Sequence, residues 1–500
     1  MPELKKMKIE EKLKDKYTKS RPQVFSEFEK PERNRNMAKP YVYPYIPNSE
    51  PEIKKAMLKQ IDVTDIKDLF QDIPEKLRLK ERLNLPSPTS EFEVKRKITN
   101  IMAKNKTCNE MLCFIGAGCW PHYVPAVCDE INGRSEFVTT YSSPPELSPG
   151  MHQAMFEYQS MLGEMLAMDA VETSMYDWAT NCGEAARMAF RITSKNEILV
   201  PKTIDPDRLS VMRNYSESVV NLKMIGYDPE TGLLDIEDLK NKISSKTGGV
   251  YFENPSYLGF IEAQGEEIAE IVHDKGGLCI VGVEPSSLGI LTPPGEYGAD
   301  IVIGEGQPLG LHMTYGGALL GILAFRDDPK FMAEAPRRLD SITTTEQEGI
   351  WGYCTVRAER DGYIVRERGT SFTGTTSVLW SITAAVYMAL MGPQGMKQLG
   401  ESIMQKSHYA IKLLSEIEGI KVPIFNSPHF EEFTVNFNET NKSVYKINKA
   451  LLNHGIQGGK DITKEFPELG TSALYCVTEM HTKDDIEKLV HDLREVVKKE

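Results

Sequence analysis

The sequence predicts an α/β protein: a large, mostly parallel sheet wound with helices, followed by a small C-terminal α/β domain. Three observations carry this. Between residues 196 and 285, short apolar runs alternate with helical stretches: ILVPK, the helix DRLSVMRNYSES, VVNLKMIGY, GGVYFENP, the helix EEIAEIVHDKG, then LCIVGVEP. That alternation suits parallel strands joined by right-handed crossovers. Residues 299–325 then run strand, glycine-rich loop, apolar run, with Gly304, Gly306, Gly310, Gly316 and Gly317 allowing sharp turns and close backbone approach. From about Lys397 the pattern becomes helix, strand, helix, strand, helix, as in a smaller domain closing on the large one.

Taken in order, residues 1–44 are a charged extension dense in Lys, Glu and Arg, expected to be flexible. Residues 45–105 read as a helical segment that wraps a neighbour and forms no core of its own. Within it Ser49 is the expected N-cap of a helix with Pro51 in its first turn. Thr89 or Ser90 should cap another, running to Lys104. Residues 106–365 form the large domain and 366–500 a long helix plus the small domain. In the large domain, residues 110–118 (EMLCFIGAG) read as a strand running into a glycine turn. Its GAG lacks the third glycine of a dinucleotide fingerprint. Residues 151–168 show an amphipathic helix whose methionines belong to the core. Thr173, Ser174 and Asp177 are cap candidates for the next helix, and a hydroxyl-bearing helix N-terminus can also hold a phosphate.

Composition narrows the function. Five hundred residues with 40% apolar and 26% charged content make a large core and exclude wholesale disorder. A net charge of −13 disfavours nucleic acid or an anionic membrane as the main partner. The sequence has neither a run of about 18 apolar residues nor a signal-peptide pattern. Eight cysteines in a chain this long make no disulfide framework, so a reduced cytoplasm is the expected location. Cys108, Cys113, Cys119 and Cys128 cluster without a C-x-x-C pair and read as thiols packed among apolar groups; no metal site is assigned.

Candidate functional residues gather at strand ends, where α/β sheets bind ligands. Glu284 ends one strand; Gln307 lies in the loop after the next. In pyridoxal-phosphate enzymes of the aspartate-aminotransferase type, an acid at the first position holds the pyridine nitrogen. A lysine some two dozen residues on forms the Schiff base. The lysine slot here is glutamine, an amide that cannot form an imine, and no lysine occurs between Lys275 and Lys330. The same residues also suit an ordinary βα loop. Other candidates are His122 and Tyr123, Tyr141 and Ser142 in the proline-rich loop YSSPPELSPG, and Thr370 and Ser371 in the loop before a long apolar helix.

Several long, ordered stretches resemble the alpha-subunit family of two-subunit glycine decarboxylase, the P-protein of the glycine cleavage system. They include YIPNSEPEIKKAML, DLFQDIPEKLRL, FIGAG followed by HYVPAV, TSMYD, GEGQPLG, YGGALLG, AAVYMALMGPQG and YCVTEM. The similarity runs from about Tyr45 to the C-terminus. It implies the type I pyridoxal-phosphate transferase fold, with glutamine in the lysine slot as a division of labour. A beta subunit would supply the lysine and hold pyridoxal phosphate covalently, in an α2β2 assembly. The implied reaction is glycine decarboxylation with aminomethyl transfer to a lipoylated H-protein. His122, Tyr123, Tyr141, Ser142, Glu284, Gln307, Thr370 and Ser371 would lie near the cofactor or the subunit interface, none of them catalytic.

The sequence departs from the family pattern around the presumed active-site face. Trp178 stands where glycine is usual, Glu284 where aspartate is usual, and the loops at 141–150 and 368–377 differ. These departures leave two further readings open: a diverged paralogue pairing into an enzyme for another amine, or a non-catalytic scaffold subunit.

Overall fold

A computed structural model describes residues 42–81, 83–138, 149–317, 319–337, 339–356 and 377–498. Tyr141, Ser142, Thr370 and Ser371, most of the two divergent loops and most of the N-terminal extension lie outside them. The chain divides into two compact units, one through Thr99 and one from Asn100.

In the first unit, helix α1 (Pro51–Gln60) follows a 3-10 turn (Pro47–Ser49). Its cap is Glu50, whose carboxylate accepts from Ile53 N. Ser49, expected in that role, instead accepts from Tyr43 N and donates to Ile46 O, because it belongs to the preceding turn. Helix α2 (Glu91–Met102) begins as expected on Ser90, whose hydroxyl accepts from Glu93 N while Glu93 reaches back to Ser90 N. None of the described residues before 100 is buried, in keeping with a segment that builds no core of its own.

The second unit is built on a seven-stranded sheet. Its strands are β1 (Ala170–Val171), β2 (Glu197–Pro201), β3 (Asn221–Ile225), β4 (Thr247–Glu253), β5 (Leu278–Val283), β6 (Ile301–Glu305) and β7 (Gly321–Phe325), in the order β1-β7-β6-β5-β4-β2-β3. Strands β2 to β6 pair in parallel; β7 runs antiparallel to both its neighbours. Strands β2, β4, β6 and β7 are buried along their whole length. That is why they read as continuous apolar runs: helices cover both faces.

Side chains alternate between the two layers, as the period of a strand requires. Leu199, Val250, Val281 and Val302 join helices α3 (Pro149–Leu166) and α6 (Gly265–Asp274) on one face. Ile198, Val200, Tyr251, Ile280 and Ile301 meet helices α4 (Trp178–Thr193) and α5 (Pro206–Ser216) on the other. Of the α3 methionines expected in the core, Met151 and Met155 are buried, and Met161 and Met165 pack against it half-buried.

Helix α7 (Val378–Leu414) passes through a break at Gly392-Pro393, so the long apolar helix and the helix expected from about Lys397 are one element. It leads to the antiparallel sheet of β8 (Glu432–Asn436), β9 (Lys460–Asp461) and β10 (Ser472–Cys476), backed by α8 (Val444–Asn453) and α9 (Lys483–Val497). The strand expected to open residues 110–118 is short, Leu112–Cys113, and pairs in parallel with Ile456–Gln457. The glycine turn expected after it forms: the backbone turns through Ala117 at φ +61° and Gly118 at φ +102°, with Ala117 N donating to the Glu432 carboxylate. No helix of the described residues is long and apolar enough to cross a membrane.

Candidate functional site

Three successive parallel strands deliver an acid to the same sheet edge: Glu253 ends β4, Glu284 follows β5 and Glu305 ends β6. Gln307 stands two residues past Glu305 and is fully buried. Its Oε1 accepts from Trp120 N (3.0 Å), and its Nε2 donates to Trp120 O (3.2 Å) and Leu311 O (2.9 Å). The side chain in the lysine slot is thus a brace between the 120 loop and the glycine-rich loop. Its length and both polar ends suit that job, and it has no nucleophilic atom.

The N-terminus of α4, considered above as a phosphate cradle, is already filled. Asp177 Oδ1 accepts from Thr180 N (2.6 Å), and Glu305 Oε2 accepts from Trp178 N (3.3 Å). Glu305 Oε1 takes Gln307 N (3.1 Å) and Leu320 N (2.7 Å). Burial pushes the Glu305 carboxyl up to about 8 despite the Leu320 amide, and Asp177 adds to the rise. A phosphate would meet acceptors where it needs donors.

Trp178, the first residue of α4, closes the rest. Its indole lies so near Gly282 that a Cβ there would overlap it, and it donates to the Tyr251 hydroxyl (3.1 Å). The Arg208 guanidinium stacks 3.4 Å from the ring centre. Arg208 also pairs with Glu253 (3.0 Å) and Asp205 (3.6 Å). Burial raises the Glu253 carboxyl above the usual range although Arg208 opposes it. What remains is a cavity of about 10 Å³ lined by Trp120, Trp178, Arg208, Glu284, Glu431 and Glu432 among others, space for about one water.

Glu284 closes the ring. Its oxygens accept from Ser286 N (2.8 Å), Ser286 Oγ (2.7 Å) and Ser287 N (3.0 Å), so the carboxylate caps the short 3-10 turn that follows β5. Burial raises it, with His122 and these donors opposing. His122 Nδ1 faces Glu479 Oε2 at 2.8 Å. Burial alone would lower the imidazole, but the Glu479 charge holds it above its ordinary value. Burial likewise raises Glu479, yet facing His122 leaves it below the usual carboxylate range. Glu431 is pushed well up by burial and by Glu284, and Glu432 to about 7 by burial.

The structure therefore brings His122, Glu284 and Gln307 into one site. Tyr123 turns away: it is 60% exposed, and only its backbone N–H joins in, donating to Glu479 (2.7 Å). Sequence reasoning missed Arg208, Glu253, Glu305, Glu431, Glu432 and Glu479. The pair Glu431-Glu432 inside the apolar run HFEEFTVNF was the one available signal, since charged pairs rarely enter a strand without a role.

The sheet order, the site at its C-terminal edge and the acid and lysine slots define a protein with the pyridoxal-phosphate transferase type I fold. Its own pocket, among the described residues, does not fit the cofactor: the slot of the tethering lysine holds the amide of Gln307, carboxylates hold the helix N-terminus, and the Trp178 indole lies against Gly282. A family model described as "Glycine cleavage system P-protein" matches residues 43–493. The chain is 42% identical to the "Probable glycine dehydrogenase (decarboxylating) subunit 1" of Staphylothermus marinus, over 91% of this chain and 98% of that one. Among solved structures it is similar to a glycine decarboxylase (P-protein) of the glycine cleavage system in inhibitor-bound form. That match has a TM-score of 0.79 and 33% identity, and covers 91% of this chain and 100% of the other. A sphingosine-1-phosphate lyase from Burkholderia pseudomallei shares the fold alone, with a TM-score of 0.60 at 16% identity over 84% of this chain and 92% of that one. The chain belongs to the glycine cleavage system P-protein family.

Proposed function

We propose that this chain is the subunit of a heteromeric glycine decarboxylase that does not tether the cofactor. A second, lysine-bearing chain would hold pyridoxal phosphate, as an α2β2 assembly, and pass the aminomethyl group to a lipoylated H-protein. The observation that carries this is Gln307: buried, bonded at both ends of its amide and standing where a tethering amine belongs. The closed cleft supports the same reading, because a chain that does not hold the cofactor can fill that space and gain stability from it. Trp178 then accounts for its own departure from the family pattern. It plugs this chain's cleft, and need not signal a different substrate. His122, Glu284 and Gln307 act here by shaping and bracing the fold. Tyr141, Ser142, Thr370 and Ser371 stay candidates for facing the partner's cofactor.

The test combines the chain with a candidate partner carrying lysine in the slot of Gln307, lipoylated H-protein, pyridoxal phosphate and glycine. Carbon dioxide release that needs both chains is expected. Release by the partner without this chain, or none with both, would overturn the proposal. The chain alone should give no borohydride-reducible lysine adduct with the cofactor.

A further inference from the structure

Beside the closed cleft, three buried side chains from distant segments turn metal-ligand atoms toward one another. The facing atoms of His122, Glu284 and Glu431 all lie within 4.8 Å of each other. His122 Nε2 and Glu431 Oε2 are 3.9 Å apart, beyond hydrogen-bond reach, and neither has a hydrogen-bond partner although both atoms are buried. Buried polar atoms left unpaired are uncommon and call for a cause.

The surroundings favour a cation. His122 Nδ1 is bonded to Glu479, which leaves Nε2 as the inward-facing ring nitrogen, and a carboxylate behind a histidine is the usual support of a metal-bound imidazole. Ser286 and Ser287 fix the Glu284 carboxylate. Glu431 is held at φ +59°, a left-handed conformation that residues other than glycine seldom adopt. Three carboxylates, those of Glu284, Glu431 and Glu479, face the His122 imidazole, while the nearby Arg208 is already paired with Asp205 and Glu253.

We propose that His122, Glu284 and Glu431 form a binding site for one divalent cation. One imidazole and two carboxylates suit a borderline-to-hard ion such as Zn²⁺, Mn²⁺ or Co²⁺, and disfavour a soft one. Neighbouring ligands of a tetrahedral ion at roughly 2.1 Å stand about 3.4 Å apart, so the site closes when the three side chains, now within 4.8 Å of one another, shift inward. The adjoining space of about 10 Å³ admits one water as a further ligand. The ion would tie the 120 loop and the end of β5 to the segment that enters β8. It would occupy a place that the chain's own chemistry has left without a cofactor.

The experiment uses the full chain, purified without chelator, equilibrated with Zn²⁺, Mn²⁺ or Co²⁺, desalted and analysed by elemental mass spectrometry. About one bound ion per chain is expected. Chelation should lower the melting temperature, and the same ion should restore it. His122→Gln and Glu431→Gln should cut bound metal at least tenfold, while Glu262→Gln, a buried acid outside the cluster, should retain it. Circular dichroism checks that the variants are folded. Should either variant fail to fold, the absorption spectrum of Co²⁺ on the unaltered chain decides, since a four- or five-coordinate site gives visible bands far stronger and at longer wavelength than the weak band of aqueous Co²⁺. A chain that takes up no ion and whose melting ignores chelator would overturn the proposal, leaving a cluster balanced by protons alone. Metal content is read without the partner, so this result and the carbon dioxide assay fail separately.

Discussion

Placing lysine at position 307 restores the amine that a pyridoxal-phosphate enzyme needs and tests whether its loss or the closed cleft governs this chain. Gln307 is fully buried between Trp120 and Leu311. In Gln307→Lys, the new amine could still donate to the two carbonyls that now receive Nε2, but Trp120 N would lose its acceptor. A buried amide left unpaired costs about 1–3 kcal/mol. The amine must also be discharged: moving a lysine from its ordinary ~10.4 to neutrality at pH 7 costs about 4–5 kcal/mol. The sum, about 5–8 kcal/mol, rivals the whole stability of a typical domain, about 5–15 kcal/mol. We expect a large fall in the urea midpoint. In whatever folded fraction remains, we expect no borohydride-reducible adduct with pyridoxal phosphate, since about 10 Å³ cannot admit it. A stable Gln307→Lys chain that forms the adduct would refute the reasoning, because it would show the cleft to be an open cofactor site lacking only its amine.

Three further outcomes follow from the same geometry. Glu305 is raised on folding from 4.5 to about 8, so it contributes stability that is fully present below pH 4.5 and lost as pH rises through 8, a loss on the order of 5 kcal/mol. Glu305→Gln stays neutral, so the stability of the unaltered chain relative to this variant should fall between pH 5 and 9 in denaturant titrations; a constant difference would sink the assignment. Arg208→Met leaves Asp205 and Glu253 facing each other and strips the cation from Trp178, which should cost about 3–5 kcal/mol by chemical denaturation. Gly259 sits at φ +92° with the Glu432 carbonyl where a Cβ would go, so Gly259→Ala should cost about 2–5 kcal/mol and lower the melting temperature; an unchanged melt would count against the packing described.

Much of the architecture was written locally. The strands ILVP and LCIVGV, the helix over EEIAEIVHD and the turn before them depend on apolar periodicity and on caps such as Asp177 and Ser90, which act within a few residues. The missing lysine is likewise a fact of composition: no conformation turns Gln307 into an amine. Contacts between distant segments left no comparable trace. Nothing in the sequence near Ser49 shows that Tyr43 would claim its hydroxyl, nor near Ala117 that Glu432, some 315 residues on, would accept from its amide.

By itself, then, the sequence determined the α/β class, the run of parallel strands and the amide at the slot of the tethering lysine, because each rests on side-chain chemistry or spacing within one segment. Only the tertiary structure decided that the cleft is shut, that Trp178 and Arg208 shut it, and that His122 meets Glu284, Glu431 and Glu479. Those facts arise when chain segments hundreds of residues apart are buried together. There a carboxylate's behaviour is set by the neighbours that replace water, and spacing along the chain carries no record of them.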